Sequence, residues 1–516
     1  MSGTSIKDHQ PPPSPAMVMT SSGTSTLARF GMHLMVSRNR QQGDRNGSKA
    51  DTESALPPTD DEDDVEASCR HEEPIELPGA QPGTLALPPP PRRTSFGLPA
   101  EDVLDAATAQ PRLAVLERIP TYLQPPIPWR ERLLHFTFAW YTVTMSTSGI
   151  ALILATTPKR FTGLSTIGLV IFLLDLLAFV VITTAIILRF ILYQDTFRRA
   201  FTRPREALFI STLWLSIAAI LSNIDEYGRI FLGSSSQSYH DLSRFLNATF
   251  WVYLVITFGF SVIQYHLLFT VKEERRLNTS AMTPAWILPI FPVMLAGTLA
   301  GTIARSQPSG EALGMICAGL AAQGLGILVS VFFYSTYLSR LMSFGLPNQR
   351  PGMFIAVGPP SFTCSALVAM ASELPRVLQE YYSDLAGSGG QVAPFAALPA
   401  QNLSSAAEVT RLLAIWSAVF LWGLSFWFFA SASVAVIAGM PDKRFHLSWW
   451  SFVFPNVGFT LASMRMGKAL GSEGMLWFST VMACLLVVAW GFIGFRCVRA
   501  VYRREIVWPG HDEDSD

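Results

Sequence analysis

Charge is scarce in this chain: only 15 % of its 516 residues are Asp, Glu, Lys or Arg, against roughly 25 % in ordinary globular domains. With 50 % hydrophobic residues and a mean hydropathy of +0.32, that scarcity argues against a soluble enzyme. Cysteine is thin as well. The five present (Cys69, Cys317, Cys364, Cys484 and Cys497) are an odd number without CxxC spacing. That argues against a disulfide framework or a zinc site, and the last four read as small hydrophobes of apolar segments. A P-loop, HExxH, GxSxG and a paired-carboxylate motif are all missing, so no catalytic residue, metal or cofactor is expected. No cleavable apolar region follows Met1, which leaves insertion to the first membrane helix.

What is present divides sharply along the chain. Residues 1–128 hold 19 of the 35 prolines, an acidic block at 51–76 and a PPPP run from Pro88. Such composition buries too little apolar surface to offset ordering entropy, so a disordered N-terminal tail is expected there. Within it, LARFGMHLMVSRNR from Leu27 is mildly amphipathic and basic, either a presequence-like or membrane-surface helix or plain solvated chain. RRTS at Arg92 to Ser95 reads as a basophilic kinase site or an ordinary loop. Residues 129–505 form the membrane body, and 506–516 a short acidic C-terminal tail. Residues 1–128 carry 11 basic against 17 acidic residues and residues 129–516 carry 27 against 21, so the overall neutrality is two opposite excesses cancelling.

Crossing a hydrocarbon core of roughly 30 Å takes about 20 apolar residues in a helix. Ten windows of that kind occur, at 135–157, 164–193, 206–230, 243–270, 282–304, 311–338, 351–372, 409–439, 446–470 and 474–500. With the N-terminus cytoplasmic, the inner flanks of these windows hold sixteen Lys or Arg and the outer flanks nine, which favours both termini inside. The same topology places a long loop at 373–408 outside, with a sequon at Asn402, and turns the sequon at Asn278 to the cytoplasm.

Helix breakers are unevenly distributed. Prolines interrupt the fifth window (Pro284, Pro289, Pro292), the seventh (Pro359, Pro360) and the ninth (Pro455), and Gly149 marks the first within MSTSGIA. The even windows have no internal proline, and the third lacks a clear breaker. Broken backbone at membrane depth is tolerated where protein or a water-filled cavity satisfies it. The alternation therefore predicts five hairpins with the odd member inside and the even member outside, unless the prolines merely bend the helices. GLAAQGLG (Gly319 to Gly326) reads as a close-packing face.

Four stretches carry a resemblance: HFTFAWYTVTMSTSGIALIL from His135, PREALFISTLWLSIAAILSNI from Pro204, RPGMFIAVGPPSFT from Arg350 and FHLSWWSFVFPNVGFTLA from Phe445. Together they resemble the fungal malic acid transport proteins of the tellurite-resistance/dicarboxylate transporter family, a group that also includes sulfite efflux pumps and, more distantly, plant slow anion channels. The resemblance implies an all-α integral membrane fold of ten transmembrane helices, arranged as five tandem hairpins around a central pore in each subunit, and a homotrimer. It implies transport of C4-dicarboxylates such as malate, or on the same fold sulfite efflux or small inorganic anion conduction, at the plasma membrane. The partners expected are small organic or inorganic anions, the lipid bilayer and further copies of the chain, without nucleic acid.

The resemblance also implies a pore obstructed by a phenylalanine beside a proline in the ninth helix, in a WW-x-aromatic-x-F-P pattern. Here that is Trp449, Trp450, Ser451, Phe452, Val453, Phe454 and Pro455, which makes Phe454 the gate position. From its chemistry alone, Phe454 is an apolar ring beside a kink that either packs helices or closes a constriction by dewetting. The odd windows carry no Lys or Arg near their centres, so a weakly binding pore built on kinked helix ends is expected. Candidates to line it are Thr144, Ser146, Thr147, Ser148 and Gly149; Pro289 and Pro292; Gly358, Pro359, Pro360, Ser361 and Thr363; and Pro455 and Asn456. Each hydroxyl can instead bond its own helix backbone. Intramembrane ionisable groups are functional suspects by default. Asp175 is expected to pair with a neighbouring helix, Asp225 and Glu226 to tune anion entry or cap a helix in solvent, and Arg189 and His266 to snorkel or contact another subunit. Asp175, His135 and His446 are the side chains of a type suited to proton coupling.

Overall fold

A computed structural model describes residues 127–233, 235–387 and 400–508, with side chains from 385 to 403 left out. The expected N-terminal tail up to 126, the Leu27 segment, RRTS, the side chain of Asn402 and residues 509–516 lie outside the described residues. Among those described there is no strand. Ten α-helices have 13 residues or more: α1 (Tyr141–Thr156), α2 (Leu164–Leu192), α3 (Ser211–Leu232), α4 (Gln237–Phe269), α5 (Phe291–Ile303), α6 (Ser309–Phe344), α7 (Gly358–Gly387), α8 (Ala400–Ile437), α9 (Phe454–Leu470) and α10 (Glu473–Tyr502).

Eight helical segments among the described residues are long and apolar enough to cross a membrane: all but α5 and α9. Those two have 13 and 17 residues and are each preceded by a 3-10 turn, Pro284–Ile287 and Leu447–Phe452. The prolines explain the junctions. Pro292 and Pro455 occupy the first turn of their helices, where a missing N–H costs nothing and the fixed φ suits a helix start. Pro359 and Pro360 likewise follow Gly358, the first residue of α7, after the 3-10 segment Arg350–Val357. These prolines therefore start α-helices; they do not kink continuous ones. The third window is broken too, at Ile210, between the short helix Pro204–Phe209 and α3. The expected loop at 373–408 is corrected in the same way, since α7 continues through Pro375 to Gly387 and α8 begins at Ala400.

Burial alternates with helix number. In the most apolar stretches of the α1, α3 and α7 segments 72–89 % of positions are buried, against 22–33 % in α2, α4, α6, α8 and α10. Every residue of α5 and most of α9 are buried. The even helices instead expose large apolar side chains such as Leu177, Val255, Phe332, Phe420 and Val488, a surface stable only against hydrocarbon. The five buried helices close on themselves: α1 packs on α3, α3 on α5, α5 on α7, α7 on α9 and α9 on α1. Around them α2 packs on α1, α4 on α3 and α5, α6 on α5 and α7, α8 on α7 and α9, and α10 on α9 and α1.

Small residues permit the closest of these contacts. A Cβ on Gly319 of α6 would lie 2.4 Å from Ala300 Cβ of α5, so the GLAAQGLG face does bring two helix backbones together. Arg189 does not snorkel: it is buried and donates to Glu206 at 2.5 Å and to the Phe136 carbonyl at 3.1 Å, tying α2 to the short helix ahead of α3. His266 is exposed near the end of α4. Of the cysteines, Cys364 and Cys497 are buried and Cys317 and Cys484 exposed, all four as free thiols.

Candidate functional site

Phe454 is the first residue of α9 and is 2 % exposed. Its ring stacks on Phe362 of α7 at 5.2 Å between centroids and meets Phe291 of α5 edge-on at 6.2 Å. Phe291 and Phe362 complete the triangle at 5.7 Å. Phe291 is itself the first residue of α5, and Phe362 lies one turn into α7. Three rings from three inner helices thus fill one layer, the layer at which those helices begin.

Glycines make room for the rings. A Cβ on Gly358 would fall 2.7 Å from Phe291 Cζ, and one on Gly458 would fall 2.6 Å from Phe362 Cε2. Any larger residue would displace a ring or a backbone. The start of an α-helix leaves amide donors without intrahelical partners and a partial positive charge. With α5 and α9 starting on Phe291 and Phe454, and α7 within a turn of Phe362, the apolar layer is bordered by weakly anion-attracting helix ends.

The hydroxyl candidates are more dispersed. Thr144 Oγ1 donates to the Tyr141 carbonyl at 2.9 Å and shares a 2.7 Å bond with Ser216 Oγ of α3. Ser146 reaches the Trp450 carbonyl at 3.4 Å, Thr147 accepts from Trp490 Nε1 at 3.1 Å, and Ser148 accepts from Asn223 Nδ2 at 2.9 Å. Gly149 faces Val457 of α9, whose Cγ2 would be 2.9 Å from a Cβ there. This stretch of α1 therefore engages α3, α9 and α10. Asp175 is fully buried in α2, and neither of its carboxylate oxygens has a hydrogen-bond partner among the described residues.

Elsewhere, Ser361 and Thr363 donate to the carbonyls of Val357 and Pro359 at 2.6 and 2.7 Å, back-bonding within their own segment. Thr363 also accepts from Gln323 at 2.8 Å. Pro289 precedes α5 in the turn after its 3-10 helix, and the Pro292 carbonyl accepts from Tyr253 at 3.1 Å. Asn456 donates to the Phe452 carbonyl at 2.9 Å and lines a cavity of about 570 Å³ with Phe452, Phe429, Lys443 and Arg496. Of the candidate residues, Phe454, Pro455 and Gly358 meet directly at the aromatic layer, Pro455 Cβ lying 3.8 Å from where a Gly358 Cβ would be.

Charge collects at the other ends of the inner helices. Asp225 and Glu226 are buried, which corrects both a solvated cap and a free acidic entry. Arg305 donates to Asp225 at 2.8 Å and to Glu226 at 2.5 Å, Arg229 also pairs with Glu226, and Tyr239 donates to Asp225 at 3.2 Å. Arg465 of α9 donates to the Ser365 carbonyl of α7 at 2.9 Å and to Thr302 Oγ1 of α5 at 3.4 Å, so its side chain crosses between three inner helices.

Reading residue types along the chain missed Phe291, Phe362 and Arg465. For Phe291 a signal existed: Phe-Pro occurs at 291–292 and again at 454–455. Arg465 follows Phe454 by eleven residues, three turns along the same helix face, and its position in an outer flank concealed that relation.

The profile of the SLAC1 family, described as voltage-dependent anion channel, matches residues 135–498. The chain is 30 % identical over 400 residues to the malic acid transport protein of Schizosaccharomyces pombe, covering 76 % of this chain and 84 % of that protein. A putative malic acid transport protein of the same organism is 32 % identical over 397 residues, covering 76 % and 86 %. The sulfite efflux pump of Trichophyton rubrum is 24 % identical over 381 residues, covering 72 % and 93 %.

Proposed function

The chain belongs to the voltage-dependent anion channel family, and from that premise we propose that it carries C4-dicarboxylates such as malate across a membrane through a pore obstructed by Phe454. The observation that carries this reading is the aromatic layer. Phe454, Phe362 and Phe291 close the space between three inner helices where those helices start. A plug of apolar rings excludes water and ions by dewetting, and its removal leaves a path bordered by amide donors and hydroxyls.

In this account α5 and α9, though short, are the fifth and ninth of ten spans, each completed by its 3-10 segment. The ten spans form five tandem hairpins, the odd helices lining the pore. Thr144, Ser146, Thr147, Ser148, Ser361 and Asn456 belong to its polar lining or brace it, and Gly149, Pro289, Pro292, Gly358, Pro359, Pro360 and Pro455 shape its backbone. The domain organisation is a cytoplasmic tail at 1–128, a transporter domain at 129–505 and an acidic tail at 506–516. Both termini are cytoplasmic, and the protein works as a homotrimer in the plasma membrane as a transporter, not an enzyme.

Sulfite efflux is the second reading, favoured by the similarity to the Trichophyton rubrum pump. Uptake of radiolabelled malate and sulfite into proteoliposomes, with and without a pH gradient, separates the two. Malate uptake that responds to the gradient supports a proton-linked dicarboxylate carrier. Sulfite flux without malate flux moves the assignment to efflux.

A further inference from the structure

The charged cluster at the outer ends of α3, α5 and α9 does not balance. Asp225 and Glu226 are its acids; Arg305 pairs with both of them and Arg229 with Glu226. Two further cations, Arg465 and Lys468, lie within electrostatic range of Glu226. Neither has an ion-pair partner among the described residues. The cluster therefore keeps two uncommitted positive charges, one helical turn apart on α9.

Arg465 is also poorly matched for a guanidinium. Its two hydrogen-bond acceptors, the Ser365 carbonyl and Thr302 Oγ1, are both neutral. Charge-assisted bonds to a carboxylate are shorter and roughly twice as strong, and a planar fork fits a carboxylate with two parallel bonds. On the two helices that it bonds, Ser365 Oγ and Thr298 Oγ1 are buried without a hydrogen-bond partner among the described residues. Ser365 is fully buried and Thr298 6 % exposed, on the two helices to which Arg465 bonds. Buried hydroxyls are normally satisfied, so a pair of orphans next to an uncommitted cation points to a missing acceptor.

The position agrees. Arg465 lies about 16 Å beyond Phe454 along the same face of α9, outward of the aromatic layer. Side chains at i and i+3 are neighbours, with Cβ atoms about 5–6 Å apart. That separation suits the two carboxylates of a C4 diacid, whereas an inorganic oxyanion has a single centre.

We propose that Arg465 binds one carboxylate of the diacid, with the hydroxyls of Thr298 and Ser365 completing its coordination, and that Lys468 binds the other. This rests on the transport reading above and names the residues that select its substrate. Arg465 leaves its neutral acceptors for the carboxylate, and the orphan hydroxyls gain the acceptor they lack. Preference for diacids then comes from the second cation, not from the gate.

The test measures KM and maximal uptake for malate, sulfite and lactate in proteoliposomes holding wild type, Arg465→Gln, Arg465→Lys or Lys468→Gln at matched density. Elution profile and melting temperature check folding, and protection of the purified protein from thermal unfolding by malate gives a second readout. Arg465→Gln is expected to raise KM for all three anions at least about tenfold and to abolish the protection. Arg465→Lys recovers part of both. Lys468→Gln raises KM for malate but leaves sulfite and lactate within twofold. An Arg465→Gln protein that folds and keeps its malate KM and protection overturns the site. Equal effects of Lys468→Gln on all three anions overturn the second-carboxylate role. The two readings fail separately: a wild type that carries no anion sinks the transport reading, whereas an active wild type with insensitive variants sinks this assignment alone.

Discussion

The ring of Phe454 stacks on the ring of Phe362 at 5.2 Å and 29°, although one begins α9 and the other lies a turn into α7. Phe291 meets both. The ring of Phe454 thus belongs to a shared aromatic layer, and on the proposed reading its members should respond to substitution together.

Phe362→Ala and Phe291→Ala should each raise basal anion flux, as Phe454→Ala should. The Phe362→Ala/Phe454→Ala pair should raise it by less than the product of the single effects, because contacting residues couple. Phe459 is the contrast. It is fully buried against Trp422, Phe429 and Phe478, so Phe459→Ala should cost about 3–5 kcal/mol of stability with no increase in flux per folded protein. Flux and melting temperature measured on the same preparations decide this.

Gly458→Ala places a methyl 2.6 Å from the Phe362 ring. Overpacking of this kind costs about 1–3 kcal/mol, and here the neighbour that must yield is part of the proposed obstruction. The variant should melt lower and leak more. A protein that melts lower with unchanged leak would show that Phe362 keeps its place while the backbone moves.

Arg189 and Glu206 form a buried pair at 2.5 Å, with side chains 6 % and 3 % exposed. Glu206→Gln should destabilise by about 3–5 kcal/mol because it leaves Arg189 buried without its counter-charge. Replacing both by Met should recover much of the loss. Unfolding in detergent, followed by tryptophan fluorescence, measures both.

Asp442 lies in the segment between α8 and α9. Partial burial pushes its carboxyl up, but the Arg444 amide, at 3.0 Å, and the His446 ring, at 2.7 Å, outweigh that and hold it below its ordinary value. A depressed carboxylate contributes stability above its unfolded value of about 3.9 and loses it as pH falls through the folded value. Melting temperature should therefore drop below about pH 4, and Asp442→Asn should flatten that drop. An unchanged acid slope in the variant would show that other carboxylates dominate it.

How much of this was legible beforehand depended on how far each signal reaches along the chain. Prolines at 292, 359, 360 and 455 mark helix starts through their own geometry, so the division into buried and lipid-facing helices could be read from them. The break at Ile210 carries no proline and could not. Asp225 and Glu226 looked solvated because they stand near a helix end. What buries them is Arg305, about eighty positions away, and such long-range pairing leaves no local trace. Phe362 is one of 35 phenylalanines, and only the folded chain shows which of them share a layer with Phe454.

The central claim is that Phe454 obstructs an anion path, and the most direct test is malate flux through Phe454→Ala beside wild type in proteoliposomes of equal protein content. The account predicts a severalfold higher basal flux from a protein with wild-type elution and normal surface expression. A correctly folded variant that conducts no more than wild type would contradict it and return Phe454 to helix packing.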